Sequence, residues 1–329
     1  MWSAVVFIIS SAAVVLAATQ MAKYGDVIAI KTGLGRLFIG TVLLAAATSL
    51  PELMTNIISV REDLPNLAVG NLMGSCIFNM VIIAILDIAN QSARVLRRVA
   101  ATHALTASLG ILLLGMSVLF ILARLPISIL GIGIDSISLI VVFLVGLYVI
   151  RSQGRPSPVM ETEPSETNES LPKALVFFGL ATAVLYVSAP YLVRSSAELA
   201  DMLGVGTSFF GASALAIVTS LPEVVASLAA VKLGAYDLAV GNLFGSNMFN
   251  IMTLGVVDAF YTKGLLLSDA DPAFALAGLV ALLLSALALI GNIARLERRL
   301  WFVEIDALLI FIGYILGMYL LYVRGVVIG

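Results

Sequence analysis

The chain has 329 residues, of which 61% are hydrophobic and only 12% charged, and its mean hydropathy is +1.10. Soluble domains run at about 45–50% apolar and 25% charged, so the composition excludes a water-soluble protein and predicts an integral membrane one. The net charge of −2 comes without a basic tract, which argues against a nucleic-acid partner, and a single cysteine, Cys76, with a single histidine, His103, excludes an internal disulfide and the usual His/Cys zinc site.

Apolar runs long enough to cross a hydrocarbon core, roughly 20 helical residues, fall at 2–20, 36–60, 66–88, 103–123 and 128–150. A second five fall at 172–192, 206–231, 237–260, 272–292 and 302–323. The first run lacks the basic start of a secretory signal and corresponds to a run deep in the chain, so it reads as a retained helix. Between the two sets, residues 151–171 carry Pro156, Pro158 and Pro164 among Glu161, Glu163, Glu166 and Glu169, a polar linker that cannot bury a core of its own. The predicted fold is an all-α polytopic membrane protein of ten transmembrane helices, with residues 1–150 and 172–329 as two five-helix units.

The two units are copies at a constant offset of 171. Lys23 falls on Arg194, Asp87 on Asp258, Asp135 on Asp306 and Tyr148 on Tyr319, and ten of the thirteen positions from Leu67 to Asn79 match Leu238 to Asn250. An odd number of spans per unit makes the second enter the bilayer from the opposite side, which predicts inverted repeats. Of the 18 Lys and Arg residues, thirteen fall in one set of connections and five in the other. The positive-inside rule then puts both termini outside and the linker in the cytoplasm.

Each unit contains the same unusual stretch, Thr48-Ser49-Leu50-Pro51-Glu52 and Thr219-Ser220-Leu221-Pro222-Glu223. A carboxylate at membrane depth costs about 3 kcal/mol by insertion scales, so an intramembrane Glu is read first as functional. Proline has no N–H and crowds the carbonyl four residues back, here Ala47 and Val218, so carbonyls of the preceding turn are expected to lose their helical partners. Carboxylate, hydroxyls and loosened carbonyls together make a hard oxygen set, suited to Na⁺ or Ca²⁺. Protonated, packed glutamates are the structural alternative, but they would leave the repeated prolines and hydroxyls without a role.

The following helix of each unit places Asn71, Ser75 and Asn79, or Asn242, Ser246 and Asn250, on one face at spacings of four. These side chains either bond helix to helix or line the same site. Gly70 and Gly74, at small-xxx-small spacing, predict close approach of a neighbouring helix. Asp135 and Asp306 read as helix-start residues that satisfy free N–H groups, and His103 and Cys76 as packing or helix-end residues. The linker glutamates lack the spacing of a calcium loop and read as solvated.

Thr-Ser-Leu-Pro-Glu in both halves, each followed by Gly-Asn-x-x-Gly-Ser-x-x-x-Asn, resembles the cation/Ca²⁺ antiporter superfamily, in particular its sodium/calcium exchanger branch. The resemblance covers nearly the whole chain. It implies Ca²⁺ held between Glu52 and Glu223 with the backbone oxygens of Thr48 and Thr219. It also implies flanking Na⁺ sites at Ala45, Ser49 and Ser246 on one side and Ala216, Ser220 and Ser75 on the other. Spans one and six would slide to expose the site to each side in turn. One departure is that several exchangers carry an aspartate in one repeat, whereas here Asn79 and Asn250 are both neutral. Two glutamates balance one Ca²⁺ but leave three Na⁺ with an excess charge, which opens room for other stoichiometries or for H⁺.

The function expected from sequence is secondary active antiport of Ca²⁺ against Na⁺ by alternating access, with H⁺-coupled exchange of Ca²⁺ or another divalent cation as the alternative. No enzyme activity, cofactor or protein partner is expected beyond the transported ions and the bilayer. An intramembrane hydrolase would need a nucleophile with its base or a metal-activated water, and neither motif supplies one. A channel stays open at this stage; saturable flux that requires a counter-ion separates it from an antiporter.

Overall fold

The computed structural model describes residues 2–89, 103–153, 169–202, 217–294, 299–300 and 303–325. Its helices are α1 (Trp2–Thr32), α2 (Gly35–Thr48), α3 (Leu50–Arg61), α4 (Pro65–Ala89), α5 (Ala104–Ala123) and α6 (Ile134–Gln153). They continue as α7 (Leu171–Met202), α8 (Leu221–Lys232), α9 (Tyr236–Asp258), α10 (Phe274–Ala294) and α11 (Ile305–Val323). Among the described residues, seven helices are long and apolar enough to cross a membrane, or eight if the bent pair α2–α3 is one span. The 23-residue α9 is long enough but is not among them, because Asn242, Ser246, Asn247 and Asn250 lower its hydropathy. Those side chains are buried, so the polar helix sits inside the bundle. Residues 206–216 of the run at 206–231 lie outside the described residues, as does most of the linker.

Burial sorts the helices into a centre and a rim. In α4, 89% of the most apolar window is buried, against 28% in α1 and 33% in α7. The central helices α4 and α9 pack on each other, ringed by α5, α6, α10 and α11, while at the edge α1 packs along α7 and against α8, and α7 packs against α3. At one end of the α1–α7 pair Tyr24 stacks on Phe177, with ring centroids 5.1 Å apart; at the other the Ser3 hydroxyl bonds to Glu198. The two helices are therefore antiparallel. At 31 and 32 residues each runs about 46–48 Å, well beyond the predicted 2–20 and 172–192.

The break between α2 and α3 bends the chain by 42° at Ser49. Ser49 has φ −86°, ψ 3°, and Ser220, 171 residues on, has φ −87°, ψ 8°. Both prolines therefore fall in the first turn of a new helix, where a missing N–H costs least. On either side of the break the ladder holds, with Ala45 O accepting Ser49 N at 3.0 Å and Ser49 O accepting Leu53 N at 3.1 Å. A second irregularity lies upstream, a π-helical stretch at Ile39–Leu44 within α2, a form often found at functional sites.

Glycines let α2 press onto α9. A Cβ on Gly245 would meet Thr41 O at 2.4 Å, one on Gly40 would meet Leu238 O at 2.5 Å, and one on Gly241 would meet Leu37 O at 3.0 Å. This is the close approach predicted from Gly70 and Gly74, seen at their copies; the segment corresponding to α2 in the other half lies outside the described residues.

The span expected at 128–150 begins instead as a hairpin, with Ser128 paired to Gly133 and Ile129 to Ile132, before α6 starts at Ile134. Leu130 and Gly131 carry φ of 54° and 84°, the two positive values a type I′ turn requires. The same register recurs 171 residues on, with Arg299 paired to Glu304 and Leu300 to Val303.

Candidate ion-binding site

The two broken helices bring both glutamates to the start of a helix, Glu52 in the first turn of α3 and Glu223 in that of α8. Partial positive charge at a helix N-terminus favours an anionic side chain there. Each carboxylate is 1% exposed. The two are within electrostatic reach of each other, and the Ser49 hydroxyl of the first half donates to Glu223 Oε1 at 3.3 Å, so the halves meet at this point. Ser220 lies beside Glu52, and Thr48 and Ser246 beside Glu223.

A scaffold of side chains holds these groups, and its bonds come in pairs related by the offset of 171. The Thr48 hydroxyl reaches Asn242 Oδ1 at 3.2 Å, and the Thr219 hydroxyl reaches Asn71 Oδ1 at 3.5 Å. Asn71 Nδ2 donates to Asn56 Oδ1 at 3.3 Å, and Asn242 Nδ2 donates to Ser227 Oγ at 3.1 Å. Asn71 and Asn242 therefore bond helix to helix, which is the structural of their two predicted readings. Ser220 Oγ donates to Ser75 Oγ at 3.2 Å, and Asn79 Nδ2 to Asn247 Oδ1 at 2.9 Å.

What remains is a set of oxygen atoms that the protein does not satisfy. Glu52 Oε1 and Oε2, Glu223 Oε2, Asn79 Oδ1, Asn250 Oδ1 and Ser246 Oγ are all buried without a hydrogen-bond partner. A buried polar atom left unpaired costs about 1–3 kcal/mol, more when charged, so these six, contributed by both halves, favour a cation or protons beside them. Among the described residues, no Lys, Arg or His forms an ion pair with either glutamate. No three His, Cys, Asp or Glu side chains gather as a metal cluster there either, so the donors are two carboxylates plus amide and hydroxyl oxygens. Such a set matches hard cations.

Of the predicted site residues, Glu52, Glu223, Thr48, Ser49, Thr219, Ser220, Ser75, Ser246, Asn79 and Asn250 are all buried. Ala45 is buried too, and its carbonyl oxygen accepts Ser49 N at 3.0 Å and Thr48 Oγ1 at 3.3 Å. Ala216 lies outside the described residues. Sequence reasoning missed Asn56, Ser227 and Asn247. The first two differ in type across the repeat and lie outside the quoted motifs, and the third appeared only as a mismatch with Cys76.

The other acidic residues and the histidine have local roles. Asp258 accepts Gly133 N and Leu266 N, each at 2.7 Å, while Asp135 and Asp306 accept the N–H of the next residue at 2.8 and 2.9 Å. His103 is buried just ahead of α5, with Nε2 3.1 Å from Asp237 Oδ1.

The family model described as sodium/calcium exchanger protein matches residues 2–151 and 173–323. The chain is 30% identical over 323 residues to the putative antiporter CaxA of Alkalimonas amylolytica, covering 94% of this chain and 97% of that one. It is 29% identical over 264 residues to the inner membrane protein YrbG of Escherichia coli (strain K12), covering 76% and 77%. Its fold matches that of the sodium-calcium exchanger NCX_Mj, soaked with zero Na⁺ and Ca²⁺, with a TM-score of 0.72 at 20% identity over 97% of this chain and 98% of that one. A match through both halves of the sequence, over the same residues that build the paired glutamates, places this chain in the sodium/calcium exchanger protein family.

Proposed function

We propose that the protein is a secondary active antiporter that exchanges Ca²⁺ for Na⁺ by alternating access, with the ions held between Glu52 and Glu223. The observation that carries this reading is the set of six buried oxygen atoms, contributed by both halves and without a hydrogen-bond partner. Family membership and the name of the relative CaxA, a putative antiporter, support exchange over a channel. In this reading Glu52 and Glu223 take Ca²⁺, helped by Thr48 and Thr219. Na⁺ takes Ser49, Ser246 and Ala45 on one side and Ser220, Ser75 and Ala216 on the other, with Asn79 and Asn250 completing the site.

The architecture we infer is ten spans in two inverted five-helix repeats, with both termini outside and the linker in the cytoplasm. It is supported by the antiparallel packing of α1 on α7, by hairpins of the same register 171 residues apart, and by the paired scaffold bonds. Inverted repeats give alternating access a structural basis, since exchanging the conformations of the two halves turns an outward-open form into an inward-open one.

H⁺-coupled exchange is the second reading, and Asn79 and Asn250 are the observation in its favour. With amides at both positions, only two carboxylates carry charge, and two carboxylates side by side load protons as readily as they load a cation. Ca²⁺ uptake into proteoliposomes, driven first by a Na⁺ gradient and then by a pH gradient at clamped voltage, separates the two. The Na⁺ reading predicts uptake under the first condition only; uptake under the second only overturns it in favour of H⁺.

A further inference from the structure

Cys76 and Asn247 occupy the same position of the two halves and face each other where α4 crosses α9. Asn247 Nδ2 donates to the Cys76 carbonyl oxygen at 3.3 Å, and the Cys76 thiol points at the Asn247 carbonyl oxygen at 3.9 Å. Each also reaches the other half's site asparagine. Asn247 Oδ1 accepts from Asn79 Nδ2 at 2.9 Å, while the Cys76 thiol meets the side chain of Asn250 and lies within electrostatic reach of Glu52. A primary amide carries its oxygen and its NH₂ on opposite sides, so whatever holds the nitrogen decides where the oxygen points. An amide oxygen ligates a cation, whereas an NH₂ turned inward opposes one.

We propose that Asn247 is a positioning residue that locks the Asn79 amide with its oxygen toward the ion. Cys76 is the corresponding but weaker hold on Asn250. The inference rests on reading Glu52 and Glu223 as ion ligands and adds that the two ends of the site are unequal. At the Asn79 end, an amide–amide bond fixes the nitrogen and leaves Oδ1 buried and unpaired. At the Asn250 end, Oδ1 is equally buried and unpaired, but the group behind the amide is a thiol, a poor acceptor. Cation binding there includes the cost of fixing the amide, a cost already met at the Asn79 end.

The test exchanges the two backing residues in reconstituted protein and measures KM for Ca²⁺, maximal rate and melting temperature. Asn247→Cys leaves both amides loosely held and is expected to raise KM about three- to tenfold, the worth of one hydrogen bond, with maximal rate and melting temperature moving less. Cys76→Asn fixes both amides and is expected to lower KM by a similar factor. The double exchange fixes Asn250 in place of Asn79 and is expected to bring KM back to within about twofold of the starting protein, the mark of a compensating pair. Melting shifts without KM shifts, or a double exchange as weak as Asn247→Cys alone, overturn the proposal. Should Asn247→Cys fail to insert, Cys76→Asn decides alone, and an unchanged KM overturns it. Glu52→Gln separates the two levels of the argument. If that variant transports normally, the site reading falls and this inference with it; if it is inactive while both backing variants leave KM unmoved, only this inference falls.

Discussion

The two halves of the chain carry the same chemistry at the proposed ion site and different residues behind it. Thr48, Ser49, Glu52, Ser75 and Asn79 recur as Thr219, Ser220, Glu223, Ser246 and Asn250, whereas Asn56 is replaced by Ser227, Cys76 by Asn247 and Asp63 by Gly234. The difference teaches where a duplicated transporter tolerates divergence. On the proposed mechanism, groups facing the ion serve two mirrored conformations and stay alike. The side chains that orient them drift, because an amide and a hydroxyl can each accept the same hydrogen bond from Asn71 or Asn242.

The comparison breaks most visibly at the identical positions. Glu52→Gln and Glu223→Gln should each abolish Ca²⁺ flux while leaving insertion intact, since truncating a buried charge that pairs with an ion costs about 3 kcal/mol or more, over a hundredfold. Flux assays on both variants check this, and unequal losses would show that the halves do not share the ion. Next in size is the seam between α2 and α9. Gly245→Ala puts a methyl group 2.4 Å from Thr41 O, a backbone atom that cannot rotate away. It should cost about 1–3 kcal/mol of stability and displace Thr48, which a melting curve and a transport assay report together.

A milder change sharpens the comparison at the drifted positions. Asn56→Ser gives the first half the backing of the second, and it should shift KM for Ca²⁺ by only about two- to fivefold because a hydroxyl still accepts from Asn71 Nδ2. A shift beyond about twentyfold would mean that the bond from Asn56 Nδ2 to the Glu52 carbonyl oxygen, at 2.7 Å, matters more than the bond to Asn71. The smallest effect belongs to Asp63→Gly. Asp63 has φ 65° where its copy Gly234 has φ 74°, and both close the same helix end, with Leu64 N bonded to Ser59 O and Ala235 N to Ala230 O at 2.9 Å. Relief of the left-handed strain, about 1–2 kcal/mol, is offset by loss of the exposed ion pair with Lys263, about 0.2–1 kcal/mol. A melting temperature that rises slightly is expected; a fall would show the ion pair to outweigh the strain.

The duplication and its motif were legible in the sequence because both are local repeats of rare residue combinations. Glu52 and Glu223, with their neighbouring hydroxyls, announced themselves as polar groups in apolar runs next to proline. The hydrogen bonds that support them were not legible. Asn56 and Ser227 look like ordinary polar residues one turn from the motif, and their value comes from facing Asn71 and Asn242 on another helix. Helix length was read short at α1 and α7 because hydropathy marks the part that crosses hydrocarbon, and both helices continue past it through residues such as Asp26 and Glu198. The hairpin at Ser128–Gly133 was absorbed into a span because Ile127, Ile129, Leu130 and Ile132 are as apolar as the helix that follows. Only the positive φ of Leu130 and Gly131 marks it as a turn.

The proposed exchange requires one Ca²⁺ held jointly by two glutamates from opposite halves. Diffraction from crystals soaked with Ca²⁺ tests this most directly. The prediction is a single strong peak with carboxylate oxygens of both Glu52 and Glu223 at about 2.3–2.6 Å, the range for Ca²⁺–oxygen ligation. A peak ligated by one glutamate alone, or no peak between them at saturating Ca²⁺, would contradict it.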